Sequence, residues 1–261
     1  VVVMHHAVSD GWSIGVIAEE LSAYYGDPQF APEALPIHYR DYAVWQERQL
    51  AEGKWQRAAD YWRQQLRELP TPLELPANRA RPPIKQSQGA EVNATLPDVA
   101  WRAVKAEAQR AGASPFVALL AVLQVLLARQ ARSQRFVIGT PVAGRDQPEL
   151  EPQIGFFINL LPLVAEVEGA RSFSEHLIAA KASVASALSH AAYPFDRLVN
   201  DLELPRDLSR APLFDVLLVF QSNRDAELSL GTVHLETLPL PSRTSQYDLT
   251  FELVETPDGL W

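Results

Sequence analysis

The residues best suited to chemistry lie near the start of the chain, where two adjacent histidines precede an aspartate and a glycine: His5-His6-Ala7-Val8-Ser9-Asp10-Gly11. Histidine is the side chain best suited to move a proton near neutral pH. Asp10 can orient an imidazole, or it can lock the turn by pairing with a distant arginine. Gly11 permits a backbone conformation that a side chain would forbid. The group predicts proton-transfer chemistry, although a histidine at a strand end is more often a hydrogen-bonded structural residue.

Two predicted elements would position these residues. The apolar run 1–4 predicts a buried strand, because β-branched residues pack well on a pleated sheet. Side chains alternate along a strand, so His5 and His6 would point to opposite faces and only one could face a given cleft. Apolar residues at helical spacing then predict a helix from near Ser13 to Gly26.

Three later segments carry polar residues that need an explanation. Asn159 interrupts a predicted apolar strand over 154–163, where an unpartnered amide would cost about 1–3 kcal/mol. It either bonds to backbone or lines a cleft. His190 ends a predicted helix over 174–191, where the helix dipole favours a positive imidazolium, so we expect a structural role. The charged residues of 206–210 predict either a buried ion network or a phosphate site.

Composition limits the function classes. The chain has 261 residues, 47% of them hydrophobic and 21% charged, which predicts a packed core. Its net charge of −9 argues against nonspecific nucleic-acid binding, which needs a basic face. Without cysteine there is no thiolate nucleophile, disulfide or Cys-based zinc site. No apolar run approaches the ~18 residues of a membrane span, so we expect a cytoplasmic enzyme with no membrane partner.

Five segments, taken in order, resemble motifs of the condensation domains of nonribosomal peptide synthetases. The first, residues 5–11, matches HHxxxDG, and Met4 and Trp12-Ser13 match its usual flanks. The others are similar to YxDYAxW (39–45), IGxFVNTL (154–161), HQDYPFExLV (190–199) and RDxSRxPLF (206–214). The third segment departs from its motif, since Ile158 and Leu160 replace the usual Val and Thr.

The resemblance implies an α/β fold of two chloramphenicol acetyltransferase-like lobes, each a mixed sheet flanked by helices, with a channel between them. We expect an N-terminally truncated domain whose first lobe is incomplete. Residues 1–75 would be the remainder of the first lobe, and the proline-rich segment 70–83 would be the linker. Residues 76–261 would form the second lobe, with floor-loop segments and a crossover strand at Tyr247–Phe251.

The resemblance also implies a reaction, amide-bond formation between a donor acyl or peptidyl thioester and an acceptor aminoacyl thioester. His6 would hydrogen-bond the attacking amine as positioner or base, and His5 would support it. Asp10 would fix the turn by pairing with an arginine in the absent N-terminal portion. Gly11 would keep the turn tight and leave a backbone N–H free near the reacting carbonyl. The candidate channel residues are Asn159, Trp12 and Ser13.

Both substrates would arrive on phosphopantetheine arms of upstream and downstream peptidyl carrier domains, beside an adenylation domain in the same polypeptide. The domain itself would bind no metal and no cofactor, and the fragment alone should be inactive. Two alternatives share the fold, a coenzyme A-dependent acyltransferase and an epimerization domain; Trp12-Ser13 and residues 206–214 favour condensation over both. A third alternative is a non-catalytic carrier-docking domain.

Overall fold

A computed structural model describes residues 2–68, 72–221, 229–233, 243–256 and 259–261. Its helices are α1 (Gly11–Gly26), α2 (Tyr39–Ala51), α3 (Gln56–Gln65), α4 (Asp98–Arg110), α5 (Pro115–Ala131), α6 (Phe173–Ser189) and α7 (Phe195–Asp201). Its strands are β1 (Leu96–Pro97), β2 (Arg135–Val142), β3 (Asn159–Glu166), β4 (Val216–Gln221), β5 (Leu249–Thr256) and β6 (Gly259–Leu260).

The chain divides into two compact units, each built from segments that are discontinuous in sequence. The first unit comprises Val1–Gln56, Val142–Asn159 and Arg224–Leu240. The second comprises Arg57–Pro141, Leu160–Asn223 and Pro241–Trp261. No single position in the sequence separates these two units, and the lobe boundary near residue 75 stays a prediction.

The first unit is organised around the start of α1. Asp10 is the N-cap of this helix, and its side chain forms a capping box with Ser13. The strand predicted over 1–4 is wrong, since the described residues before His5 pair with no strand and Val2 and Val3 are 74% and 89% exposed. A strand needs a neighbouring ladder for its backbone groups, and none lies beside them in the described ranges. His6 instead begins a one-turn 3-10 helix, so the predicted strand alternation does not hold.

The second unit contains a six-stranded sheet in the order β1-β6-β5-β4-β2-β3. Strands β2, β4 and β5 are parallel, whereas β6 pairs antiparallel with β5 and with β1. Helix α5 begins at Ser114, whose side chain accepts a hydrogen bond from the Val117 N–H, and buries most of its apolar residues. The predicted α/β class with a mixed sheet is confirmed.

Two predicted strands differ from those observed. The alternating sequence of residues 90–96 predicts a strand, which is reduced to Leu96–Pro97, the two residues that find a partner in β6. The strand expected over 154–163 begins only at Asn159. Residues 247–251 lead into β5, which pairs with β4, and their role as a crossover between lobes stays a prediction. The sequence also predicts a strand near 232–236, which lies mostly outside the described residues.

The end of the proline-rich segment and the residues after it bond to other parts of the second unit, and the role of the segment as a linker stays a prediction. The Lys85 N–H donates to the Leu208 carbonyl (2.7 Å), and Arg81 pairs with Asp248. The nearby Arg210 pairs with Asp215 at 2.6 Å. Of the two roles open for residues 206–210, the geometry therefore favours an ion network.

Helix length and apolar content bear on membrane crossing. Across the described ranges, no individual helix is both long and apolar enough to span a bilayer, and the bent pair α4 and α5, at 104°, passes only on length and composition.

Candidate active site

A buried ion pair between Asp10 and Arg145 lies at the centre of the first unit. Their side chains are 3% and 1% exposed, and Arg145 Nη2 lies 3.0 Å from Asp10 Oδ1. The other arm of the guanidinium donates to the carbonyls of Gln153 (2.8 Å) and Leu150, and Arg145 Cζ lies 4.1 Å from the ring centre of Phe157. The expectation that this arginine lies outside the chain is wrong, because Arg145 fills the role.

Every side of the Asp10 carboxylate has a donor. Oδ1 accepts the Ser13 N–H (2.9 Å) and hydroxyl (2.7 Å), and Oδ2 accepts the Phe157 N–H (3.1 Å). Burial alone would raise the pKa of Asp10. The bonds from Ser13 and Phe157, with the charge of Arg145, outweigh burial and lower that pKa below 3.8. Asp10 is therefore a fixed anion, and its observed contacts join α1 to the loop 155–157.

The backbone requires glycine at position 144, beside Arg145, and not at position 11, the glycine of the motif. Gly144 has φ +65°, and a Cβ there would lie 2.0 Å from the Phe157 carbonyl oxygen. Gly11 is the first residue of α1, without a positive φ, and a Cβ there would meet nothing within 4 Å. The expectation that Gly11 is required for a tight turn is therefore wrong. As the first residue of α1, Gly11 has a backbone N–H with no acceptor inside its own helix.

The two histidines use their Nδ1 atoms in opposite ways. The Ala7 N–H donates to His5 Nδ1 (3.0 Å), so that nitrogen accepts. His6 Nδ1 lies 2.6 Å from the Ser9 carbonyl oxygen, which can only accept, so His6 carries its proton on Nδ1. Both imidazoles are exposed. In its neutral form His6 therefore has an unprotonated Nε2, and His5 caps the turn that carries it.

The loop 155–157 places an aromatic ring against His6. Ser13 Oγ lies 3.0 Å from the Gly155 carbonyl oxygen and 3.1 Å from its nitrogen, and the Tyr39 hydroxyl donates to the Phe156 carbonyl (2.9 Å). The Phe156 ring lies 5.3 Å from the His6 ring in an edge-to-face arrangement. These bonds explain why the first part of the predicted strand is a loop, because its backbone bonds to α1 and α2.

The remaining predicted site residues have varied surroundings. Ser13 is fully buried in the Asp10 network, whereas Trp12 is exposed and donates from Nε1 to the Glu151 carbonyl (2.8 Å). Asn159 is half-buried at the start of β3, and its role in a channel stays a prediction. His190 lies in the second unit as the C-cap of α6 and stacks on Tyr61 at 4.0 Å.

Sequence reasoning missed two residues of the site, Arg145 and Phe156. The signal for Arg145 was the motif aspartate, since a buried carboxylate needs a cation, and Arg145 follows a Gly-containing turn after a predicted strand. Phe156 occupies the variable position of its motif, so only the structure reveals its contact with His6.

Comparison with known proteins identifies the family. The condensation-domain family matches residues 1–261. One component of the linear gramicidin synthase of Brevibacillus parabrevis is 36% identical over 265 residues, which cover 99% of this chain. Phosphinothricin tripeptide synthetase PhsC of Streptomyces viridochromogenes is 37% identical over 263 residues, or 96% of this chain. The chain spans only 5% and 24% of the length of these two relatives.

Solved structures give the same result. The X-domain in complex with OxyB from teicoplanin biosynthesis matches with a TM-score of 0.85 and 28% identity, over 98% of this chain and 58% of that one. The condensation domain of the monacolin K polyketide synthase MokA matches with a TM-score of 0.78 and 26% identity, over 98% and 61%. As the five motifs indicated, the chain belongs to the condensation-domain family of nonribosomal peptide synthetases.

Proposed function

We propose that this chain contributes the catalytic histidine of an amide-bond-forming condensation domain. The acceptor amine forms a C–N bond to the donor carbonyl, the C–S bond of the donor thioester breaks, and the amine proton passes to the departing sulfur. The observation that carries this proposal is the exposed imidazole of His6, whose Nδ1 is bonded to the Ser9 carbonyl. Nε2 is therefore the nitrogen available to accept the amine proton.

Thioester aminolysis depends more on positioning the two reactants than on general-base catalysis. Holding two tethered reactants in reactive geometry can lower the barrier by about 7–11 kcal/mol. A general base adds about 10²–10⁴-fold to the rate. His6 therefore contributes the smaller factor, and substrate delivery contributes the larger one.

The other motif residues support His6 in different ways. His5 caps the turn that carries the catalytic imidazole. Asp10 and Ser13 hold the start of α1 against the loop 155–157. Gly11, the first residue of α1, would offer its backbone N–H to a substrate carbonyl. Trp12 and Asn159 are channel residues in this proposal.

The substrates would come from outside this chain. Upstream and downstream peptidyl carrier domains would deliver the donor and acceptor on phosphopantetheine arms, beside an adenylation domain of the same polypeptide. The similarity to long synthetases supports multidomain partners of this kind. The chain itself would hold no resident cofactor.

The test is His6→Ala in the complete condensation domain, supplied with donor and acceptor carrier domains loaded with amino acids. We expect the single-turnover rate of dipeptidyl thioester formation to fall about 10²–10⁴-fold. His38→Ala, which removes another exposed imidazole of the first unit, is the matched control and should keep the wild-type rate. A His6→Ala rate within two-fold of wild type would contradict the assignment.

A second candidate is a non-catalytic docking domain. The similarity to an X-domain solved in complex with another protein, OxyB, favours it over the remaining alternatives. It predicts binding of a loaded carrier without any dipeptidyl product from the wild-type domain. Product formation that depends on His6 would exclude it.

A further inference from the structure

The ring of Phe156 packs against the proposed catalytic imidazole of His6. Its ring centre lies 5.3 Å from that of His6, and the two planes are 84° apart. Edge-to-face packing of this kind is directional, so it restricts rotation of both rings. His6 therefore has two restraints, the Ser9 carbonyl on Nδ1 and the Phe156 ring on its flank.

The position of Phe156 is itself set by the buried network. The residues on either side are fixed to α1, since the Gly155 N–H donates to Ser13 Oγ and the Phe157 N–H donates to Asp10. The Phe156 carbonyl accepts the Tyr39 hydroxyl. With three consecutive residues held in this way, the backbone has little freedom to move the ring away from His6.

The Phe156 ring is not part of the buried centre of the first unit. It is 39% exposed, while the neighbouring Phe157 packs under Arg145 and is fully buried. The fold therefore gives the stabilising role to Phe157 and leaves Phe156 at the surface, where His6 is also exposed.

We infer that Phe156 is a positioning residue for His6, held in place by the Asp10–Arg145 network so that Nε2 keeps one direction. The inference rests on the proposed function, because it assigns Phe156 a part in that reaction. It also gives the buried network a second role. Beyond fixing the start of α1, the network transmits its rigidity to the imidazole through the Phe156 ring.

The test compares Phe156→Ala with Phe156→Tyr in the complete condensation domain. Phe156→Ala should lower kcat for dipeptidyl thioester formation about 10- to 100-fold without changing the KM for the loaded acceptor carrier, since misplacement by about 1 Å can cost 10²-fold. Phe156→Tyr retains the ring and should restore the rate. Phe173→Ala is the matched control, because it removes a phenyl ring of 38% exposure from the second unit.

A second measurement separates positioning from other roles. In ¹⁵N-histidine spectra, the Nδ1–H tautomer of His6 should dominate in the wild type and in Phe156→Tyr. In Phe156→Ala it should give way to a mixture with Nε2–H. An unchanged His6 spectrum would overturn the inference, whatever the rate. If even the wild type forms no peptide, the proposed function fails, and the spectra still decide whether Phe156 positions His6.

Discussion

The two compact units have buried centres of opposite character. In the described residues of the first unit, the buried apolar side chains are Leu150 and Phe157, whereas the buried polar side chains are those of Ser9, Asp10, Ser13, Arg145 and Gln153. In the second unit the buried centre is apolar, with fully buried side chains that include Trp62, Trp101, Phe136, Leu120, Ile138 and Leu218.

The difference shows how each unit specifies its structure. Apolar packing is non-directional and tolerates small shifts of its members. Charged hydrogen bonds are directional, and a buried charge that loses its partner is costly. The unit that carries His6 is therefore organised by directional bonds, which suit a site that must hold an imidazole in one orientation.

The largest effect should come from removing the anion of the first unit. Asp10→Ala leaves Arg145 buried without a charge partner, and we expect a loss of about 3–5 kcal/mol in the free energy of unfolding, measured by urea denaturation. Amide exchange should accelerate first at Ser13, Gly155 and Phe157, whose N–H groups donate within this network. A loss below about 1 kcal/mol, the scale of an exposed ion pair, would show that the polar centre is not a stabilising element.

The contribution of Asp10 to the free energy of unfolding should also depend on pH. Its folded-state pKa lies below the ordinary value of 3.8, so the contribution is complete above that value and is lost as pH falls through the folded-state pKa. Asp10→Ala should remove this part of the acid dependence. An acid transition identical to that of the wild type would contradict the assignment.

The counterpart of Asp10→Ala in the second unit is the removal of a buried apolar side chain. Leu120→Ala removes a fully buried side chain of α5, and we expect a loss of about 2–5 kcal/mol in the same urea measurement. Exchange at residues 155–157 should keep its wild-type rate below the unfolding transition. Faster exchange there would mean that the two centres do not behave separately.

A smaller effect should separate charge from geometry in the first unit. Arg145→Lys keeps the positive charge but cannot reproduce the planar fork that reaches Asp10, Ser13 and two carbonyls. We expect a loss of about 1.5–3 kcal/mol, in the range of one hydrogen bond to a charged group. If Arg145→Lys is as stable as wild type, charge alone organises the loop.

The smallest effect concerns a polar residue in the second unit. His176 is buried in α6, and neither ring nitrogen has a hydrogen-bond partner among the described residues. Burial, with a smaller effect of Arg171, lowers its pKa below 6.5. His176 therefore does not reduce the free energy of unfolding above pH 6.5, and it reduces that free energy increasingly as pH falls from 6.5 toward the folded-state pKa. His176→Leu should flatten this decline in thermal melts, and a decline identical to that of the wild type would contradict the assignment.

The sequence predicted most helices well because periodicity and caps are local signals. The sequence of residues 98–111 predicts a helix broken at Gly112, and Ser114-Pro115 predicts the cap and first turn of the next helix. In the structure α4 ends at Arg110, and Ser114 caps α5, which begins at Pro115. Strands were predicted less well, since a strand exists only where another backbone pairs with it. Residues 1–4 and 90–95 have strand-like sequences but no partner in the described ranges.

The same limit applies to the candidate site. The motif located His6 and Asp10, since these residue types carry their chemistry in sequence. Arg145 lies 135 positions after Asp10, and Phe156 is similarly distant from His6. Their roles depend on a loop that folds back onto α1, which no local pattern predicts. Local propensity also gives no sign that Gly144 and Gly155 must be glycine, because the atoms that a Cβ would meet there belong to residues distant in sequence or to the folded loop.

The most direct test of the account is the protonation pattern of His6, because the proposed chemistry depends on a free Nε2. ¹⁵N-histidine spectra of the complete domain above neutral pH, with His6→Gln to assign the signals, measure it without any substrate. The account predicts a protonated Nδ1 and an unprotonated Nε2 on His6. A dominant Nε2–H tautomer would contradict it, since the nitrogen meant to take the amine proton would already carry one.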